Sequence, residues 1–379
     1  MKRRLLFCFF LTLLMFVATS FCHASEGGAA KPITGLQVLQ YGAIIPPHPG
    51  WVFAINPAFY FGSLGGERQL PIAGLLAANV DVNISFVMFS GNYIWPTSSK
   101  RWNFASAVVF PLANVDTTAN VILGNRLGQR SESQFSQFDM AFVPVAVSYH
   151  ISQLEHIGFN VTVWAPTGNY EVGSLANTGM NVWSFIPTFT YTRIFPTSNV
   201  SFDLNYGIDF DTKNSDTDYK NGALSYLDLL VMKKFKNGWA VGPVFSWVQQ
   251  YADDEGGLAD RLDGFKGRAL GIGPNVGYST KIGKETDFSF TARFLREFAT
   301  KNRAEGWPIL ISGTFIFLSV RYWRILQWRS GDGIYLSLLE LLQSVYRLQV
   351  LLAALQLQLV IRQISPIKHE LFQKDFSGA

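Results

Sequence analysis

Cysteine is nearly absent from this sequence, and its two copies, Cys8 and Cys22, both lie near the N-terminus. The chain beyond them therefore has no disulfide framework, no thiolate metal site and no cysteine nucleophile. Metal-ligand clusters, phosphate-binding glycine loops and dinucleotide fingerprints are also missing from the sequence. We accordingly expect no catalytic residue, no metal and no cofactor.

Long apolar runs and charged residues are scarce as well. Charged residues make up 15% of the chain, against roughly 25% in a typical soluble domain. After residue 24, no apolar run before residue 330 reaches the ~20 residues that a helical membrane span needs. Aromatic residues nevertheless reach 15% and glycines number 33. Because only helices and closed barrels satisfy every backbone group in lipid, this composition favours an all-β fold, an antiparallel transmembrane β-barrel.

The N-terminus has the pattern of a secretory signal. Three basic residues at positions 2–4 precede an apolar run over residues 5–21, and Ala24 is a small residue at the expected cleavage point. We predict that residues 1–24 are a cleaved signal peptide and that the protein is exported to the bacterial outer membrane. The barrel region, from the end of the predicted signal peptide to Arg321, is close to electrically neutral, which argues against nucleic acid as a partner.

Alternating apolar and polar residues are the main evidence for strands. From Val200 to Asp211 every second residue is apolar, and its neighbours are polar or glycine. The same alternation runs from Phe288 to Phe294 and from Trp239 to Tyr251. Since successive side chains on a strand point to opposite faces, each run presents one face to lipid and one to water.

The whole pattern predicts about twelve strands within residues 51–322. They are centred near Phe53–Phe61, Leu75–Phe89, Trp102–Val115, Phe138–Tyr149, Ile157–Ala165, Val182–Ile194, Val200–Asp211, Ala223–Phe235, Trp239–Tyr251, Gly267–Lys281, Phe288–Phe298 and Ile309–Arg321. Links after odd strands are long, and those after most even strands are short. This sorting is typical of outer-membrane barrels, which have long outer loops and short periplasmic turns. The predicted long links include Gly62–Pro71 and Asp116–Ser133.

The strand pattern also assigns residues to the two faces of the barrel. Trp239, Trp247 and Tyr251 share the lipid face and are spaced for membrane-interface aromatics. Strand ten carries an inward row of small residues around Asn275, which leaves room for a ligand or an inserted plug. Residues 25–50 are proline-rich and extended enough to be that plug. The predicted pore-lining residues are Asp203, Asp209, Asp211, Arg293, Glu297 and Asn275.

One segment resembles a known family. The residues are the Trp164–Tyr170 stretch WAPTGNY and the Ala176–Pro187 stretch ANTGMNVWSFIP, supported by Gly271–Tyr278. They resemble the outer-membrane transporters associated with the meta-pathway of phenol degradation (phenol MetA degradation family), over roughly residues 35–321. The motif positions are Trp164, Pro166, Thr167, Gly168, Tyr170, Asn177, Gly179, Asn181 and Trp183. The resemblance implies a β-barrel channel for hydrophobic or aromatic compounds. From the residues alone, a folding role and a solute-contacting role are equally open.

We therefore expect a channel or transporter for small hydrophobic or aromatic solutes, rather than an enzyme. Its expected partners are outer-membrane lipid, those solutes and the outer-membrane assembly machinery. One alternative is a structural or adhesive barrel with a closed lumen. A weaker one is an outer-membrane hydrolase, which needs a serine beside a histidine; His150 and His156 instead flank a turn on the periplasmic side.

The C-terminal residues depart from the family pattern. A barrel of this kind is expected to finish with its last strand, but here residues 323–379 follow. Residues 334–361 are rich in leucine and glutamine and favour a helix, which would make a poor membrane span because it carries Glu340 and Arg347. We expect a helical C-terminal extension. Three interpretations stay open: a periplasmic amphipathic helix, a coiled-coil contact, or a non-native extension from an altered reading frame.

Overall fold

The computed structural model describes residues 32–123, 126–262, 265–283 and 286–318. The predicted signal peptide and the predicted helical extension, residues 323–379, lie outside these ranges. Within them, no helix combines the length and the apolar character that a membrane crossing requires.

The described residues form one antiparallel sheet that closes on itself. Its first and last strands pair in register from Gly50 with Leu318 to Ser63 with Glu305. The strands are β1 (Gly50–Ile72), β2 (Leu75–Ile94), β3 (Trp102–Leu123), β4 (Arg126–Gln137), β5 (Met140–Ser152), β6 (Glu155–Ala165), β7 (Ser184–Phe195), β8 (Val200–Asp211), β9 (Leu224–Lys234), β10 (Trp239–Gln250), β11 (Arg268–Ile282), β12 (Thr286–Phe294), β13 (Arg296–Lys301) and β14 (Glu305–Leu318).

Two pairs of these segments are halves of single barrel strands. Both β4 and β5 pair with β3: β4 pairs with its residues 112–123, and β5 pairs with its residues 102–109. Both β12 and β13 pair with β11, on either side of Leu295. The barrel in the described residues is therefore twelve-stranded, and the predicted all-β class and even strand number are confirmed. The predicted sorting holds in part: the connections 166–183, 212–223 and 251–267 are long and lie at one end, and those at the other end are short except for residues 95–101.

Two of the predicted loops are wrong, because their residues lie in strands. Residues 62–71 belong to β1 and pair with β2, with a register shift between Leu64 and Gln69. Residues 116–123 and 126–133 form the outer hairpin of β3 and β4. In this hairpin the alternation of the lipid-crossing strands is inverted. The apolar residues Val115, Ala119 and Val121 are buried, and polar side chains point outward. Strands that extend past the lipid face water on the outside, so their polar residues resemble a loop in the sequence.

Outward-facing aromatic residues lie towards both ends of the barrel. Trp51, Trp102 and Trp239 are 46%, 46% and 44% exposed near the short turns. Trp247 and Tyr251 are 40% and 47% exposed near the long loops. Such belts mark the two edges of the apolar band in outer-membrane barrels. The role of Trp239, Trp247 and Tyr251 as interface anchors stays a prediction.

We place the end of the barrel that carries the longer loops outside the cell, and this orientation predicts a pattern of protease cleavage in whole cells. Lys213 lies in the loop after β8, at the end that we place outside, and its side chain is 49% exposed. Lys236 lies in the opposite turn between β9 and β10. External trypsin should cleave after Lys213 and spare Lys236 in intact cells, whereas broken cells should lose both sites. Cleavage at Lys236 in intact cells would reverse the orientation; mass spectrometry of the fragments distinguishes the outcomes.

Candidate functional site in the barrel lumen

Residues 32–49, here called the N-terminal segment, lie inside the barrel. Val38 is 1% exposed and Ala43 is 2% exposed. The segment hydrogen-bonds to inward side chains from strands around the barrel wall, including β3, β5, β7, β8, β9 and β12. Most of these bonds are made by its main chain, and its side chains Ile33 and Val38 are buried in apolar clusters with the wall.

Asp228 and Arg293 hold the middle of the segment. Asp228 accepts hydrogen bonds from the Gly35 amide (3.3 Å), the Gln37 amide (3.0 Å) and the Ser246 hydroxyl (2.5 Å). Arg293 donates to the carbonyl oxygens of Gly35 (2.6 Å) and Val38 (2.8 Å). Charge-assisted bonds of this kind are the stronger class of hydrogen bond. An acid and a base from different strands therefore bind amide and carbonyl groups of one short peptide stretch.

The end of the segment nearer the periplasmic mouth is held by another set of contacts. The Tyr41 amide donates to Asp203 (2.8 Å), and the Ala43 amide donates to Thr192 (3.2 Å). The Ala43 carbonyl accepts from Ser148 at 2.6 Å. At Ala43, eight residues after Gly35, the chain thus still lies against inward side chains of the wall.

The other end of the segment meets both polar and apolar groups. Glu297 accepts from the Thr34 hydroxyl and from the Tyr60 hydroxyl, each at 2.8 Å. Ile33 and Leu36 pack on an apolar cluster that includes Phe86. The segment therefore separates an apolar outer part of the lumen from the polar contacts below it.

The inward row of small residues on β11 allows this close approach. A Cβ at Gly271 would lie 3.1 Å from the Thr34 hydroxyl oxygen. A Cβ at Gly273 would lie 1.8 Å from the Phe294 carbonyl oxygen, so the wall itself also needs glycine there. Larger side chains along this row would compete with the N-terminal segment for space.

The predicted pore-lining residues divide into two groups. Asp203, Arg293 and Glu297 contact the N-terminal segment directly, and Asn275 accepts a hydrogen bond from Arg293 at 3.0 Å. The other two do not join them: Asp209 is buried farther along β8, and Asp211 accepts from Asn221 at 2.6 Å. Asp228 was missed. Its sequence signal is a lone acid among the otherwise apolar inward positions of β9.

The family motif builds a loop over the outer mouth. Residues 166–183, here called the capping loop, connect β6 to β7. Gly168 and Gly179 touch, since a Cβ on Gly179 would lie 2.7 Å from the Gly168 carbonyl carbon. Asp139, fully buried between β4 and β5, accepts from the amides of Gly168 and Met180, both at 2.9 Å. Asp139 was not among the predicted site residues, because it lies outside the motif that it organises.

The remaining motif residues also have structural contacts. Thr167 accepts from the Met140 amide at 2.8 Å, and Asn177 accepts from the Glu171 amide at 2.8 Å. Asn181 adopts φ +55° and donates to Asn214 at 2.9 Å. The Trp164 ring packs edge-on to Phe138, the Trp183 amide donates to Thr212, Pro166 follows β6, and Tyr170 lines the cavity described below. These contacts are those of a folded loop, and solute contact stays a prediction.

Strand β4 fastens the capping loop from the side. Glu132 accepts from the Ser174 hydroxyl (2.9 Å) and the Leu175 amide (2.6 Å), and it is ion-paired with Arg130. Burial would raise the pKa of Glu132, but these hydrogen bonds and the Arg130 charge hold the pKa below its ordinary value. Gln134 accepts from the Thr178 amide at 3.0 Å. The capping loop is therefore an ordered part of the barrel mouth.

Between the capping loop and the wall lies an apolar cavity of about 90 Å³. Most of its lining is aliphatic or aromatic, as in Leu70, Val82, Phe86 and Leu175. It lies against the apolar cluster on which Ile33 packs. A cavity of ~150 Å³ is known to hold a benzene ring, so the cavity would have to expand by roughly two thirds to hold a single ring.

Comparison with known proteins supports this picture of the fold. The family described as "Putative MetA-pathway of phenol degradation" matches residues 62–311. No curated protein sequence matches the chain. The fold is similar to that of the COG4313 outer membrane channel from Pseudomonas putida F1, with a TM-score of 0.59, 12% identity and coverage of 74% of this chain and 100% of that one.

A FadL homologue from Pseudomonas aeruginosa is more distant, with a TM-score of 0.42, 9% identity and coverage of 78% of this chain and 98% of that one. The family match spans more than half of the sequence and contains the motif from Trp164 to Trp183. The resemblance found in the sequence is confirmed, and the protein belongs to the outer-membrane β-barrel family described as "Putative MetA-pathway of phenol degradation".

Proposed function

We propose that this protein is a channel that carries small hydrophobic or aromatic molecules across the bacterial outer membrane. The observation that carries the proposal is the apolar cavity beneath the capping loop. Elsewhere the inward surface mixes polar side chains with smaller, filled apolar clusters. Apolar concave sites with few polar groups are typical of small-molecule binding. Membership of the family supports the same class of solute.

In this proposal the N-terminal segment is the gate of the channel. Solute reaches the cavity from the outer mouth and meets Ile33 and Leu36 at the top of the segment. Passage to the periplasm then requires the segment to leave Asp228, Arg293 and Asp203. These side chains, with Asn275 and Glu297, would line the open pore. Lipid would contact the outward aromatic belts, and the assembly machinery would act on the barrel strands.

A matched pair of substitutions on β2 tests the cavity. Val82→Phe adds bulk at an inward position that lines the cavity, whereas Val87→Phe adds the same bulk on the outward face. Overfilling a packed site costs about 1–3 kcal/mol, which corresponds to roughly a tenfold to hundredfold loss of solute affinity. We expect Val82→Phe to reduce uptake of single-ring aromatic solutes into liposomes by about tenfold, with Val87→Phe near wild type. Equal uptake by both variants would remove the cavity from the pathway.

A second candidate is a structural or adhesive barrel with a closed lumen. The observation in its favour is the density of hydrogen bonds that hold the N-terminal segment. Wild-type protein that passes no solute from an aromatic and polar panel, and conducts no ions when the gate contacts are removed, would favour this candidate. We assign no catalytic role to the protein.

A further inference from the structure

Two cations lie side by side on the outward face of the barrel, at the end that carries the longer loops. Arg268 begins β11 and Lys301 ends β13, and the two residues, here called the basic pair, are direct partners in the strand register. Both are exposed. Directly opposed side chains of antiparallel strands have Cβ atoms about 5 Å apart, and like charges at such positions destabilise a sheet. The basic pair is therefore unfavourable by itself.

No acid in the described part of the chain forms an ion pair with either cation. The carboxylate at the outer end of β14, Glu305, is ion-paired with Arg296 instead. The Arg268 Nε donates to the Ala299 carbonyl oxygen at 3.3 Å. The terminal nitrogens of Arg268 and the ammonium group of Lys301 thus remain as donors for a ligand.

A β-bulge in β13 produces the basic pair. If the register of the preceding residues continued, the neutral Thr300 would lie opposite Arg268. A shift of one residue instead places Lys301 there, and Ala299 within the shift adopts φ +52°. This left-handed backbone conformation is unfavourable for a residue with a Cβ, and such strain concentrates at functional sites. Bulges often redirect a side chain, and here the redirected side chain is a second cation.

The wall between the basic pair and the middle of the membrane is apolar. Ile272 on β11 and Phe298 on β13 are 51% and 38% exposed on the same outward face. Beside them on β14, Trp307 is 40% exposed and stacks on Phe294, with ring centroids 5.2 Å apart. The surface therefore presents positive charge at the edge of the apolar band and apolar side chains within it. An amphiphile with an anionic headgroup and acyl chains is complementary to both parts.

We propose that the basic pair binds the phosphate group of a lipid in the outer leaflet of the outer membrane, whose acyl chains lie against Phe298 and Ile272. A phosphate between Arg268 and Lys301 offsets their repulsion, and charge-assisted bonds from arginine and lysine to phosphate are among the stronger hydrogen bonds. The outer edge of the apolar band is also the level of the lipid headgroups. The site faces the lipid rather than the lumen, so the proposal does not depend on the channel function.

Native mass spectrometry of the purified full-length protein in detergent measures this binding directly. With diphosphoryl lipid A as the probe, we expect the wild type to retain one molecule. Arg268→Gln/Lys301→Gln should bind it about tenfold more weakly, because it loses two exposed ion pairs. Lys234→Gln/Lys236→Gln is the matched control: it removes the same charge from exposed positions at the opposite end of the barrel, and it should bind like the wild type.

The chemistry of the headgroup is tested with the same protein. Lipid A without its phosphates should bind the wild type as weakly as the phosphorylated lipid binds Arg268→Gln/Lys301→Gln. Lys301→Arg keeps the charge and should retain wild-type affinity. In detergent without lipid A, the midpoint of urea unfolding of Arg268→Gln/Lys301→Gln should equal or exceed that of the wild type, because the substitutions remove a repulsion. If the double variant fails to fold, Lys301→Gln alone gives the same comparison with a smaller loss of affinity.

Three results would overturn the lipid site. They are equal affinity in the wild type and Arg268→Gln/Lys301→Gln, an equal loss in the Lys234→Gln/Lys236→Gln control, and equally tight binding of lipid A without phosphates. Displacement of lipid A by inorganic phosphate at the same concentration also contradicts the proposal, because the basic pair would then bind a free anion rather than a lipid. Normal lipid binding by a protein that passes no aromatic solute supports the lipid site and overturns only the channel.

Discussion

Asp228→Ala should open the barrel and raise its ion conductance more than any other single change considered. Asp228 is fully buried and accepts the amide hydrogens of Gly35 and Gln37. Its removal leaves both donors buried without an acceptor, at a cost of about 1–3 kcal/mol each. A loss of about 3 kcal/mol shifts the balance between inserted and released segment by roughly a hundredfold.

Planar-bilayer recording of the purified variant is the measurement. Asp228→Asn, which retains one acceptor oxygen, should give an intermediate conductance. Asp253→Ala is the matched control, because Asp253 lies in an outer loop and pairs with Lys266 at 3.2 Å, away from the N-terminal segment. A silent but correctly folded Asp228→Ala barrel would show that the segment is not a gate.

Gly168→Ala should have the largest effect on the capping loop. The added Cβ would lie 2.6 Å from the Thr178 carbonyl oxygen and 2.7 Å from the Gly179 Cα. These are backbone atoms and cannot move independently, so the two ends of the loop must separate and lose their shared contact with Asp139. Overpacking of this kind costs about 1–3 kcal/mol, and the lost hydrogen bonds leave a buried carboxylate poorly satisfied.

We expect Gly168→Ala to lower the midpoint of urea unfolding and to reduce aromatic uptake strongly, without raising ion conductance, because the N-terminal segment still fills the lumen. Gly128→Ala on β4 is the control, since its added Cβ meets no atom within 4 Å. Wild-type uptake by Gly168→Ala would mean that the capping loop does not form the solute site. The contrast with Asp228→Ala separates the two ends of the proposed pathway.

The sequence by itself determined the barrel. Alternation such as that from Val200 to Asp211 is local, and lipid outside the wall requires it of each strand independently. The predicted strands were therefore correct wherever the wall crosses the apolar band. The prediction failed at residues 62–71 and 116–133, because strands that extend past the lipid have polar outward faces.

Only the tertiary structure decided what fills the barrel. Asp228 lies 193 and 191 positions from Gly35 and Gln37, and it binds their amides rather than their side chains, so no sequence pattern identifies the pairing. Asp139 likewise organises a motif to which it does not belong. The alternation of residues along a strand predicts which side chains point inward, but strand register and barrel closure decide which of them come into contact. The lumen contacts depend on that closure, which is a property of the whole chain.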